Sequence, residues 1–169
     1  MKQTLIILRG TPASGKSSIA RALRNFEKKV VWLKVDNFKP FFDDDASKAL
    51  DYVNGSALAT LDYLLTNGFS VVMDGVFQNP DCIEDALAIA KSKNVSAHAY
   101  ELRCSLPVLA ERDKNRKEVK SGHRKPMKYS VLEKIQDVLE NNPSKSAEIF
   151  DVEDKSLDEC IEIFQKLIT

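Results

Sequence analysis

Long apolar runs are missing from this 169-residue sequence. The first one, Leu5 to Leu8, is strand-sized, whereas a membrane-spanning helix needs about 18 apolar residues. No membrane partner is therefore expected. Cysteine is scarce: Cys82, Cys104 and Cys160 are far apart and form no CxxC pair. That does not suggest a disulfide framework or a zinc site, and a reducing, cytoplasmic setting is the simplest reading. The chain also shows no basic, apolar, small-residue signal order, because its first apolar run leads straight into a glycine motif. Internal repeats and low-complexity stretches are absent. Net charge is absent too, with 25 Lys+Arg against 25 Asp+Glu. The balance excludes a globally basic nucleic-acid coat and a polyacidic solvating chain. It hides two opposed segments, however. Residues 111–128 carry eight Lys/Arg and three acids, and residues 148–162 carry seven acids and one lysine. The length suits one domain over 1–169, which buries roughly 70% of its unfolded surface without covalent staples.

What is present is an alternation of short apolar strands with amphipathic helices. Strands are expected at 4–8, 30–35, 69–73, 95–102 and 147–152. Helices are expected over 16–28, over 46–65 with a break near Asn54-Gly55, from Asn79-Pro80 to about 93, and from Ser105 onward. Ser130 and Ser156 each stand three residues before a glutamate, so both fit the capping-box pattern. Strands alternating with helices imply parallel pairing through right-handed crossovers. The expected fold is α/β, a three-layer α/β/α sandwich on a five-stranded parallel sheet.

Between the first strand and first helix lies Gly10-Thr11-Pro12-Ala13-Ser14-Gly15-Lys16-Ser17, followed by Ser18. It matches GxxxxGK[ST] at every fixed position. Glycines let backbone N–H groups approach phosphate oxygens, and the helix N-terminus adds partial positive charge. Lys16 would reach the β- and γ-phosphates, and the Ser17 hydroxyl would ligate Mg²⁺. The fold is accordingly of the P-loop nucleoside triphosphate hydrolase, nucleotide kinase-like type, with ATP as the expected donor. A GTPase would show NKxD and DxxG motifs; the first is absent, and Phe77 occupies the last position of the second. An oligomeric motor ATPase would pair Asp74 with a second acid, but Gly75 follows it. A small phosphoryl-transfer kinase fits best.

Asp36 follows the second strand directly and is a candidate base toward an acceptor hydroxyl; a capping or turn aspartate is the other reading. Asp74 ends the third strand, where it would hold Mg²⁺ with Ser17, bond Ser17, share in acceptor binding or simply make a turn. Phe77 and Gln78 follow as candidate pocket residues. Phe38, Phe41 and Phe42 with Asp43-Asp44-Asp45 read as an acceptor pocket with apolar walls, or as packing aromatics beside a solvated helix start. Arg112 and Arg116 are four apart and expected on one helical face. With Arg124 they would form a basic lid over ATP at about 111–128, the other reading being a solvated charged helix. His98 and the cysteines read as structural.

The sequence resembles a group of small P-loop kinases that includes chloramphenicol phosphotransferase, the zeta-toxin kinases, polynucleotide kinase modules and AAA-family ATP-binding kinases. The resemblance rests on GTPASGKSS at 10–18, VDNF at 35–38, LRCSLPVLAERDKNR at 102–116 and VVMDGVF at 71–77. It implies transfer of the γ-phosphate of ATP, with Mg²⁺, to a hydroxyl. Lys16 and Ser17 take the phosphate and metal positions, Asp36 that of the base, and Arg112 and Arg116 those of lid arginines. Polynucleotide and zeta-toxin kinases place an arginine two or three residues after that aspartate, where this chain has Phe38 and Lys39. The resemblance therefore leans toward a small, less anionic acceptor such as an antibiotic or metabolite. A polynucleotide 5′-hydroxyl kinase and a non-catalytic ATP-binding regulatory module are the alternatives.

Overall fold

Leu5, Ile6, Ile7 and Leu8 are all buried, with alternate side chains entering opposite layers, as a central parallel strand requires. The computed structural model describes residues 2–43 and 46–168, with backbone alone for 46–49. The chain runs β1 (Thr4–Gly10), α1 (Lys16–Phe26), β2 (Val30–Lys34), a 3-10 helix (Val35–Phe41), α2 (Ala46–Thr66), β3 (Ser70–Gly75), α3 (Asp81–Ser92), β4 (Ser96–Arg103), α4 (Leu106–Lys114), α5 (Lys117–Lys120), α6 (Tyr129–Asn141), β5 (Glu148–Asp151) and α7 (Leu157–Gln165). The five strands form one parallel sheet in the order β2-β3-β1-β4-β5.

Two apolar layers cover the sheet. Leu5, Ile7, Val71 and Met73 pack with Val53, Ala57 and Leu61 of α2 and Ile83 and Ala86 of α3. Ile6, Leu8 and Val72 pack with Ile19 and Leu23 of α1, Leu109 of α4, Leu132 of α6 and Phe164 of α7. Each Val, Leu, Ile, Met or Phe side chain among them, fully buried, contributes about 1.5–3 kcal/mol. From β1 the chain crosses to the β2 edge, returns through β3, and then passes beyond β1 to β4 and β5. The strand order thus reverses around β1, and the crevice outside the carboxyl ends there is where ligands bind in open α/β sheets.

Four local expectations are corrected. The α2 helix runs unbroken through Asn54-Gly55; one interior glycine costs about 1 kcal/mol, less than the burial of Val53, Ala57 and Leu61 returns. The α6 helix starts one residue before Ser130, with Lys128 at its N-cap and no side-chain cap, because the preceding Met127 N–H is held by Asp113 Oδ2 at 2.6 Å. Ser156, by contrast, forms its capping box with Glu159. Pro80 is the N-cap of α3 rather than its first residue, and the Asn79 side chain accepts from Asp81 N–H at 2.9 Å. Finally, α4 ends at Lys114, and Arg116 sits in extended backbone at the start of α5. Arg112 and Arg116 therefore do not share a helical face. Among the described residues no helix is long and apolar enough to cross a membrane. Asp44 and Asp45 of the acidic triplet lie outside the described residues.

Candidate functional site

β1 ends at Gly10, whose φ is +150°. A Cβ there would lie 2.7 Å from the Leu102 carbonyl oxygen of β4, so only glycine lets the chain leave the sheet this closely. The loop then passes through Ala13 at φ +72° and Gly15 at φ +102° before entering α1. Gly15 is the N-cap and offers no side-chain acceptor, and the first turn of α1 carries no acid. The helix N-terminus is thus left to an external anion. Lys16 is buried, its Nζ donating to Thr11 O at 2.9 Å and Ser14 Oγ at 3.3 Å. An ammonium has three donors, so one remains for an incoming oxygen.

The same lysine reports which charges converge on the loop. Burial pushes its pKa down to about 8; Asp74 pulls it up, Arg116 pushes it down, Asp36 pulls up and Lys34 pushes down. Four of these groups come from β2, the 3-10 helix, β3 and the segment after α4, brought to the carboxyl edge of one sheet.

A cleft of about 840 Å³ opens over Ala13 to Ser18. β2 and β5 are opposite sheet edges, so the cleft has two ends. Arg21, Trp32 and Lys34 line one end, and Val152, Lys155, Ser156, Leu157 and Cys160 line the other. Arg112, Arg116, Lys117, Glu118 and Arg124 line it from the basic segment. Gly10, Thr11 and Pro12 are not among the residues that line it. Arg112 belongs to the β5 end, where its Nη2 donates to Val152 O at 2.7 Å. The start of α4 is tied to the same end, since Glu153 accepts from Ser105 N–H at 2.6 Å and from its hydroxyl at 2.7 Å.

The basic segment is organised by Asp113, which is 1% exposed. Its Oδ1 meets Arg124 Nη2 at 2.5 Å and Arg116 Nε at 3.5 Å, and its Oδ2 accepts from Met127 N–H. Burial alone would raise this carboxyl, but the Met127 N–H and then Arg124 and Arg116 hold it below the usual carboxylate range. One acid thus gathers both ends of the loop and aims two arginines toward the phosphate loop.

Asp36 lies two residues beyond Lys34 in the 3-10 helix, is 38% exposed, and pairs with Lys39 Nζ at 2.5 Å. Asp74 is 2% exposed and accepts from Trp32 Nε1–H at 3.0 Å through Oδ2. Among the described residues no three His, Cys, Asp or Glu side chains cluster to hold a metal by themselves. The Ser17 hydroxyl and the Asp74 carboxylate are donor types that Mg²⁺ takes together with substrate phosphates. Phe77 is not a cleft residue: it is 6% exposed at φ +49°, with its ring against Gly75 in the α2/α3 layer. Gln78 is exposed. Phe38 is partly buried against the same layer and Phe41 is 77% exposed.

A family model described as an AAA domain (AAA_33) matches residues 5–141. The chain belongs to this family. A comparison with curated protein sequences found no match. Among solved structures, this AAA domain is similar to a gluconokinase from Sinorhizobium meliloti, with TM-score 0.67 and 21% identity over 98% of this chain and 90% of that one. It is also similar to the Mycobacterium tuberculosis APS kinase CysC in complex with AMPPNP and APS, at TM-score 0.68 and 14% identity over 99% and 98%. A third similarity is to the Pnkp1/Rnl/Hen1 RNA repair complex, at TM-score 0.65 and 21% identity, covering 83% of this chain but only 45% of that one. The fold is that of P-loop kinases.

Several cleft and core residues escape a reading of motifs. Val152, Lys155 and Leu157, beyond the matched residues, reach the cleft because β5 lies beside β4 and α7 packs against α1. Arg9 is wholly buried in β1 and pairs with Glu101 of β4. Its Nε donates to Phe77 O at 3.1 Å and its Nη2 to Asn142 O at 2.6 Å. It thereby fastens the loop after β3 and the end of α6 to the sheet. The one available signal was a charge inside an otherwise apolar strand.

Proposed function

We propose that this chain is a kinase that transfers the γ-phosphate of MgATP to a hydroxyl of a small acceptor, within one domain carrying a basic lid at about 111–128. The observation that carries this reading is one cleft lined by residues 13–18 of the phosphate loop, Lys34 of β2 and Arg112 and Arg116 of the basic segment, with Asp36 and Asp74 near enough to act on the charge of buried Lys16. Nucleotide phosphates would lie on residues 13–18, with the base toward Val152 and Leu157 and the γ-phosphate toward β2. Bound Mg²⁺, held through Ser17 and Asp74, would supply charge neutralisation on the phosphate oxygens. Lys16 and Arg116 stabilise the negative charge that spreads over the transferred group. Arg112 braces the lid against the β5 end. Asp36 accepts the acceptor's proton as its oxygen bonds phosphorus and the bond to the ADP oxygen breaks. Lys39 holds that carboxylate until the acceptor displaces it. Buried, unpaired Cys82, Cys104 and Cys160 suit a cytoplasmic setting.

Asp36→Asn tests the assignment. Nucleotide affinity is expected to stay within about threefold of wild type while acceptor phosphorylation falls by 10²-fold or more, within the range for a general base. Undiminished transfer in this variant would remove Asp36 from the chemistry.

A further inference from the structure

The cleft carries more positive charge than a magnesium nucleotide uses, with Lys155 at its β5 end and Arg21 and Lys34 at its β2 end. Lys16 serves the loop, Arg112 is bonded to Val152 O, and Arg116 and Arg124 share Asp113. Arg21, Lys34 and Lys117 line the same cleft, and among the described residues none has a carboxylate partner. The two acids nearest the β2 end are engaged elsewhere, Asp36 with Lys39 and Asp74 with the Trp32 indole.

Arg21 is nevertheless placed. Its guanidinium carbon lies 5.4 Å from the centre of the Trp32 ring. Trp32 is in turn fixed by its hydrogen bond to buried Asp74. An ion pair would position an arginine by neutralising it; an aromatic face positions it and leaves its N–H donors and charge available. Arg24 also lies over this ring, at 5.9 Å, so the indole is occupied by cations rather than open to stack on a ligand. Lys34 projects from the same strand two residues further on and two residues before Asp36. Unpaired cations in a concave site concentrate anions.

We propose that the phosphoryl acceptor carries an oxyanion of the phosphate class, bound by Arg21 and Lys34 beside Trp32, as well as the hydroxyl that Asp36 receives. This rests on the acceptor lying at the β2 end, as in the function proposed above. It reverses the lean toward a less anionic acceptor drawn from Phe38 and Lys39. The arginine missing after Asp36, where Lys39 is taken up by Asp36 itself, is replaced by cations from α1 and from β2.

Trp32 is the only tryptophan of the chain, so its emission reports this end. The experiment saturates the protein with Mg·AMPPNP and titrates inorganic phosphate, with KCl at matched ionic strength as control. A saturable change in Trp32 fluorescence at millimolar phosphate is expected, beyond any KCl response. R21Q and K34Q replace cations by neutral polar side chains at solvent-accessible positions; calorimetry on the double variant should show phosphate affinity at least tenfold weaker. Glycerol 3-phosphate and adenosine 3′-monophosphate, used as competitors, distinguish a small phosphorylated alcohol from a nucleotide end. Competition by either supports the proposal, and the tighter one names the source. No phosphate binding once AMPPNP is bound, binding unchanged in the double variant, or competition by neither compound would overturn it. Failure of AMPPNP itself to bind would instead overturn the proposed function.

Discussion

Raising the pH should weaken nucleotide binding through Lys16, and the size of the effect follows from its burial. Its pKa stands at about 8 against an ordinary 10.5. At 1.36 kcal/mol per unit, about 3 kcal/mol opposes charging this amine in the nucleotide-free protein. Phosphate oxygens at its remaining donor favour the charged form, so binding raises the pKa again. Below pH 8 the amine already holds its proton and affinity is flat. Above pH 8 the free protein has lost that proton, and binding must recover it at a cost of about tenfold per pH unit. Between pH 7 and pH 9.5 the Kd of Mg·AMPPNP should rise about 30-fold. Calorimetry in buffers of different ionisation enthalpy should show proton uptake approaching one per site. The same shift makes stability of the free protein rise between pH 8 and 10.5, because there the unfolded chain binds more protons. Cys104 and Cys82, pushed by burial to about 11 and about 12, act oppositely above pH 9, so binding is the cleaner readout. A Kd that is flat from pH 7 to 9.5, or a release of protons, would refute this account of Lys16.

Two further outcomes are expected. Asp113→Ala leaves Arg124 and the Met127 N–H without their acceptor and should cost about 1–3 kcal/mol in urea denaturation, the cost of losing charge-assisted hydrogen bonds whose arginine ends are partly solvated. Tryptic cleavage over 114–128 should accelerate, and the wild-type contribution of Asp113, whose carboxyl is held low, should persist above pH 4 and fade as pH drops through its folded pKa. Arg116→Ala, at a partly exposed position, should lower the transfer rate 10- to 10³-fold and shift the denaturation midpoint little; a rate within twofold of wild type would take Arg116 out of the reaction.

The phosphate loop was legible because every position answers a local demand: a glycine against Leu102 O, a lysine at the start of a helix, a hydroxyl after it. The centre of the sheet was legible for a similar reason, since β1 and β3, buried on both faces, read as short apolar runs. What stayed hidden depends on groups remote in sequence. The helix broken between Arg112 and Arg116 and the displaced start of α6 both follow from Asp113 gathering Arg116, Arg124 and Met127, which no periodicity encodes. Phe77 looked like a pocket residue by its place after Asp74, yet its left-handed backbone turns the ring into the core. The Arg21–Trp32–Asp74 chain joins α1, β2 and β3, and appears only once the strand order sets those elements side by side.

The central claim is phosphoryl transfer, and γ-labelled ATP tests it most directly. The protein would be incubated with Mg²⁺ and a panel of alcohols, sugars, nucleosides, antibiotics, phosphorylated alcohols and 5′-hydroxyl oligonucleotides. Label should pass to at least one hydroxyl acceptor, and that product should vanish in Asp36→Asn and without Mg²⁺. Tight nucleotide binding with no labelled acceptor anywhere in the panel would contradict the claim and identify a nucleotide-binding module without transfer.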